Sequence, residues 1–124
     1  MHYLIDTNII IDHLRGDKTV TSFLEEIEIK GVKASISVLT EYELLIYPSL
    51  TRTQEKDILS FIKIFAILNI TSSIARIAAE FRRKHNCGVV DSLIAATAHK
   101  NKSILITRNT KHFIPIKEIQ IKTI

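Results

Sequence analysis

The sequence predicts an α/β fold, a three-layer arrangement of helices on both faces of a five-stranded parallel sheet. Two observations carry this prediction. Short strand-like apolar runs recur along the chain, and most are followed by segments with apolar residues at three- and four-residue spacing. Strands that alternate with helices imply crossover connections, and therefore parallel strands covered on both faces. Composition agrees: the chain is 46% hydrophobic but only 6% aromatic, an aliphatic balance that suits an α/β globule.

Each element has its own signal. Tyr3-Leu4-Ile5 reads as a short buried strand. Asp6-Thr7-Asn8 then offers N-cap chemistry, and Ile9-Ile10-Ile11 opens a short helix that stops at Gly16. Asp17 caps a second helix, with Val20, Phe23, Leu24 and Ile27 on one side, Glu25, Glu26 and Glu28 on the other, and Gly31 as C-cap. Residues 32–38 form a second strand with Ala34, Ile36 and Val38 in alternation. Thr40 starts a helix that Pro48 ends. An amphipathic helix over 53–65 has Ile58, Phe61, Ile62 and Phe65 as its core stripe, and residues 66–70 follow as a third strand. Ser72 or Ser73 caps the next helix, whose Ile74, Ile77, Ala78 and Phe81 face inward while Arg82, Arg83 and Lys84 face outward. A helix over 91–100 carries Leu93, Ile94, Ala95, Ala96 and Ala98, small enough for close packing on the sheet. Residues 103–107 form a fourth strand and 119–122 a fifth, at the edge.

At 124 residues this is one domain, 1–124, long enough to bury a core without staples. Cys87 is the lone cysteine, so no internal disulfide forms, and no Cys/His cluster has zinc-finger spacing. It reads as an ordinary small residue at a helix end, and a reducing cytoplasm fits. Asp6 and Asp12 interrupt the N-terminal apolar stretch, so no secretory signal is expected. The longest apolar stretch, 58–70, contains Lys63 and Asn69 and is too short to span a bilayer, so no membrane partner is expected. A formal charge of +4 permits a polyanionic partner without demanding one.

Three acidic residues organise the chemistry. Asp6 and Glu43 each follow a strand-like run, and Glu43 and Asp91 each fall in what reads as the first turn of a helix. In an open parallel sheet such positions share the edge at the carboxyl ends of the strands, where ligands bind. Carboxylates gathered there raise one another's pKa unless a cation neutralises them. Hard divalent cations favour oxygen ligands of this kind. Taken singly, each residue also has a plain structural role. Asp6 and Asn8 are good helix caps. Thr40-x-x-Glu43 is a capping box. Asp91 complements a helix dipole. Asn109, just beyond the fourth strand, is a neutral oxygen ligand or an outer hydrogen bonder, and Thr107 suits a metal-bound water or a phosphate oxygen. The alternative for both is a turn after a strand. Arg108, between them, is the best candidate for a phosphate contact. Arg82, Arg83 and Lys84 read as a solvated face, and no Ser-His-Asp or Cys-His arrangement is evident.

Together these segments resemble a known family. Leu4-Ile5-Asp6-Thr7-Asn8, Ile36-Ser37-x-x-Thr40-x-x-Glu43-Leu44, Asp91-Ser92-Leu93-Ile94-Ala95-Ala96-Thr97-Ala98 and Leu105-Ile106-Thr107-Arg108-Asn109-x-x-x-Phe113 are similar to the successive motifs of the PIN-domain ribonucleases. The short form resembles the VapC-type toxins of toxin–antitoxin modules. The resemblance runs from residue 3 to about residue 113. It implies strand order 3-2-1-4-5 and Mg²⁺ or Mn²⁺ held by Asp6, Glu43 and Asp91. It assigns Asn109 to the catalytic set, with Thr7, Asn8, Thr107 and Arg108 beside the RNA. Many relatives carry an Asp at the position of Asn109 or of His112; this chain has neither, which leaves one or two metal ions open.

The implied activity is metal-dependent hydrolysis of RNA phosphodiester bonds, leaving a 5′-phosphate and a 3′-hydroxyl. The implied partners are an RNA substrate, a cognate VapB-type antitoxin and a second copy of the chain. The helix over 53–65 and the run Leu44-Leu45-Ile46-Tyr47 offer apolar surface for the homodimer. Two alternatives stand beside this reading. One is an inactive PIN module that binds RNA or protein. The other is an RNA-maturation nuclease without an antitoxin.

Overall fold

In the computed structural model, which describes residues 1–124, the run Tyr3-Leu4-Ile5 lies in the central strand of a five-stranded sheet. The chain runs β1 (His2–Ile5), α1 (Thr7–Leu14), α2 (Lys18–Ile29), β2 (Lys33–Ser37), α3 (Val38–Leu45), α4 (Arg52–Ile62) and β3 (Ala66–Leu68). It continues through α5 (Ser72–His85), α6 (Val89–Lys100), β4 (Ile104–Ile106), α7 (Thr110–Phe113) and β5 (Gln120–Lys122). All four strand pairings are parallel, and the order is β3-β2-β1-β4-β5, as expected. Tyr3 pairs with Ala34 on one side and Ile104 on the other, and Leu4 pairs with Ser35 and Leu105.

The chain builds outward from β1 to β2 and β3, then crosses to the other side for β4 and β5. The reversal makes a crevice beyond the carboxyl ends of β1 and β4, the usual ligand position in such sheets. Asp6 immediately follows β1, and Thr107 immediately follows β4.

Strand alternation divides the core in two. Tyr3, Ile5, Ile36 and Ile106 pack with Ile9 and Ile10 of α1, Val20, Leu24 and Ile27 of α2, Leu44 of α3 and Ile62 of α4. Leu4 and Leu105 pack with Ile74, Ala78 and Phe81 of α5, the Ile94-Ala95-Ala96 run of α6, Phe113 and Ile116. The small residues of α6 give the close approach to the sheet that their size predicts. Each fully buried Ile or Leu contributes about 1.5–3 kcal/mol of transfer free energy.

Element ends differ from the sequence expectations for local reasons. The α3 helix begins at Val38 rather than Thr40, because the Ser37 side chain caps it by accepting the Leu39 N–H at 3.0 Å. Val38, expected to end the alternation of β2, is therefore helical, and Glu43 lies in the second turn rather than the first. The capping box at Thr40 and Glu43 does not form. One does form at Thr51 and Gln54, where each backbone N–H donates to the other's side chain, at 2.9 and 3.1 Å. The α5 helix is capped by Thr71, not by Ser72 or Ser73. The one-turn helix α7 and the short strands β3, β4 and β5 lack enough residues to set a period. No helix is long and apolar enough to cross a membrane.

Candidate active site

Asp6 sits where β1 ends and α1 begins, with extended φ and ψ of −69° and 151° that let its side chain cap the helix. Its Oδ1 accepts the Thr7 N–H at 2.9 Å, and its Oδ2 accepts the Thr107 hydroxyl at 2.7 Å. The Asp6 N–H continues the sheet by donating to Ile106 O at 3.0 Å. Asp6 as a whole residue is 7% exposed. Burial pushes its pKa above the ordinary range, the hydrogen bonds from Thr107 and Thr7 oppose this, and the charges of Asp91 and Glu43 add to the rise. These two charges, distant in sequence, act on Asp6 because the fold brings the three acidic residues to one edge.

Glu43 reaches that edge from α3. Its Oε1 lies 2.7 Å from the Thr7 hydroxyl, which also lies 2.9 Å from the Thr40 hydroxyl. A hydroxyl has one proton, and a carboxylate only accepts, so Thr7 donates to Glu43 and Thr40 donates to Thr7. Asp91 enters from the first turn of α6, where the exposed N–H groups favour a carboxylate. Its Oδ2 lies 3.1 Å from Nδ1 of His112 on α7. Gly88, the N-cap of α6, leaves its Cβ position 3.6 Å from Asp91 Oδ2, an ordinary contact distance.

The expected substrate contacts behave differently from one another. The Thr7 and Thr107 hydroxyls give their protons to Glu43 and Asp6 and so act as supports for the carboxylates. Thr107 Oγ1 also accepts the Asn109 N–H at 3.0 Å. Arg108, expected at a phosphate, turns its Nη1 to Asp12 at 3.0 Å and Asp17 at 2.7 Å. Asn8 and Asn109 are partly exposed, on the first turn of α1 and at the start of α7. No local pattern in the sequence points to the Thr7–Glu43 link, and the departure from the family pattern at His112 is the available signal for the His112–Asp91 link.

The all-oxygen donor set suits a hard divalent cation. Each Asp6 oxygen accepts one hydrogen bond and retains a lone pair. Burial, and behind it the charges of Asp91 and Glu43, raise the Asp6 pKa, and a bound cation would lower it again. The side chains do not form a closed ligand set as they stand: no three His, Cys, Asp or Glu groups converge closely enough to hold a metal ion together. A cavity of about 480 Å³ lies elsewhere, lined by His13, Leu24, Phe61 and Phe65 between α2 and α4.

Comparisons with known proteins agree with this architecture. Residues 3–118 match the sequence profile of the PIN domain. Ribonuclease VapC19 of Mycobacterium tuberculosis is 33% identical over 122 residues, covering 94% of this chain and 96% of that protein. A chain of a toxin–antitoxin complex from Klebsiella pneumoniae is 31% identical, with a TM-score of 0.81 and 94% of each chain covered. The fold also matches a chain of VapBC2 from Rickettsia felis bound to a DNA fragment from their promoter, at 22% identity and a TM-score of 0.86, over 100% of this chain and 99% of that one.

Proposed function

Because this chain belongs to the PIN-domain family, we propose that it is a Mg²⁺- or Mn²⁺-dependent endoribonuclease and the toxin of a VapBC-type toxin–antitoxin module. The observation that carries the reading is Asp6 itself, buried at the switch point of the sheet and raised in pKa partly by Asp91 and Glu43. Unneutralised acidic residues at a ligand crevice are costly for a fold and useful for binding a cation.

Asp6, Glu43 and Asp91 would hold the ion. Bound there, it supplies positive charge that activates water and neutralises the scissile phosphate. The chain's own residues do the positioning. Thr107 fixes Asp6, Thr7 fixes Glu43, and His112 meets Asp91. Asn109 and Asn8 offer neutral hydrogen-bonding groups to the RNA backbone. The products are a 5′-phosphate and a 3′-hydroxyl, and the reaction belongs in the cytoplasm.

The toxin role is supported by the relatives, since VapC19 is named a ribonuclease and the Klebsiella structure is a toxin–antitoxin complex. A cognate antitoxin covers the site in this reading. Exposed Tyr42, Ile46 and Tyr47 support association with a second copy, whereas Leu44, Ile62 and Phe65 are committed to the core. A second reading, an RNA- or protein-binding module without cleavage, is favoured by Asn109 and by the open ligand set.

The deciding experiment is cleavage of end-labelled RNA with Mg²⁺ or Mn²⁺, wild type beside Asp6→Asn, with EDTA as control. Fragments with 5′-phosphates that need the metal and disappear in the variant support the nuclease. Intact RNA with folded wild type, across transfer, ribosomal and messenger RNA, supports the binding module. Co-purification with the product of an adjacent small gene, and suppression of cleavage by it, tests the antitoxin.

A further inference from the structure

We propose that Arg108 is a positioning residue: clamped between Asp12 and Asp17, it holds the 107–109 segment so that Thr107 stays on Asp6. Its place beside the site invites a phosphate-binding role, but its surroundings oppose one. Nη1 donates to Asp12 Oδ2 at 3.0 Å and to Asp17 Oδ2 at 2.7 Å, and Nε donates to Ile124 O at 3.4 Å. One guanidinium between two carboxylates leaves the cluster with a net charge of −1. Such a cluster repels phosphate. It also pairs the guanidinium with charge-assisted bonds of the strong kind.

The clamp is anchored where the fold is regular. Asp12 belongs to α1, and Asp17 caps α2 by accepting the Val20 N–H at 3.1 Å. Arg108 therefore ties the α1–α2 corner to the end of β4. The residues on either side of it belong to the site. The Thr107 N–H donates to Lys122 O at 3.1 Å, its hydroxyl donates to Asp6, and that same hydroxyl accepts the Asn109 N–H. Asn109 then starts α7, which brings His112 to Asp91. With planar peptide bonds on both sides, a shift of Arg108 is transmitted to Thr107 and Asn109. A displacement of about 1 Å stretches a hydrogen bond of ordinary length out of range.

The test compares wild type with Arg108→Gln, Asp12→Asn and the double variant Asp12→Asn/Asp17→Asn. The double variant leaves Arg108 in place and removes the two charges it grips, and asparagine at position 17 can still cap α2. We expect the Asn109 amide to exchange with solvent at least ~10-fold faster in the double variant and in Arg108→Gln, with a smaller increase in Asp12→Asn. RNA affinity in Arg108→Gln keeps its wild-type dependence on salt. The kinetic readout alone rests on the nuclease reading: kcat falls about 10-fold while KM stays within about 2-fold. An unchanged Asn109 exchange rate in the double variant overturns the inference. So does a salt slope lowered by about 0.7 in Arg108→Gln, the signature of one lost phosphate contact. Exchange and salt slope need no cleavage, so they decide the matter even if the wild type cuts nothing. Asp12→Asn, which keeps the Asp17 cap, serves if the double variant does not fold.

Discussion

The Thr107 hydroxyl donates to Asp6 Oδ2 at 2.7 Å and accepts the Asn109 N–H at 3.0 Å, so one buried oxygen joins the end of β4 to the first acidic residue of the site. Thr107→Val keeps the shape and loses both bonds. Because the acceptor is charged and buried, the change is expected to cost about 1.5–3 kcal/mol by urea unfolding. Thr107→Ser should recover most of it. A valine variant as stable as wild type would mean that Asp6 is adequately held by the Thr7 N–H alone.

Thr7 does the same for Glu43. Thr7→Val unhooks both Glu43 and Thr40, and a loss of about 1–2 kcal/mol is expected, again with Ser as the conservative rescue. Cleavage should fall with Val and return with Ser. Equal cleavage by both variants would show that Glu43 needs no such support.

Asp6 predicts an unusual dependence on pH. Burial, and then Asp91 and Glu43, raise its pKa in the folded state above the unfolded value. An acid shifted upward destabilises the fold when ionised, so stability is gained as pH falls through the raised pKa. Asp6→Asn keeps the cap on Thr7 and removes the charge. Its stability relative to wild type should therefore improve as pH rises from about 3.9 toward neutral, on top of a pH-independent cost for the lost Thr107 bond. Parallel thermal melts of the two proteins from pH 8 to pH 4 give the comparison, and parallel curves throughout count against the shift.

Asp17 has the opposite sign. Its hydrogen bond from Arg108 holds its pKa below the ordinary range. Asp17→Asn should lower the melting temperature at pH 7, and the difference should shrink as pH falls below about 3.9 and wild-type Asp17 takes up a proton.

Divalent cation provides an independent check on the three carboxylates. Mn²⁺ should raise the melting temperature of the wild type by mass action and that of Asp6→Asn much less, and EDTA should reverse the effect. Asp91→Asn should likewise abolish cleavage while leaving the cation-free fold as stable or more so. Equal Mn²⁺ stabilisation of wild type and Asp6→Asn would place the ion elsewhere.

Long-range order was readable in the residues where periodicity is strong. The apolar stripes of α2 and α5, the small face of α6 and the alternation around Tyr3 and Ile36 all lead to the observed layers. Helix starts were less readable, because Ser37 and Thr40, or Thr71, Ser72 and Ser73, are chemically equivalent caps until the strand before them is placed. Asp6 and Asp91 could be picked out because one follows β1 and the other opens α6, whereas Glu43 lies a turn deeper in α3 than its sequence neighbours suggest. Their supports could not. Thr7 and Glu43 are 36 residues apart, Arg108 and Asp12 are 96 apart, and no local pattern connects either pair.

The link between Asp6 and Thr107 spans 101 residues, and β1 meets β4 only after all the intervening elements have been made. During translation, therefore, Asp6 is made 101 residues before the hydroxyl that supports it. Abortive products ending before Thr107 should be inert. The nuclease capacity proposed here would arise only once β4 has joined β1, a delay written into strand order.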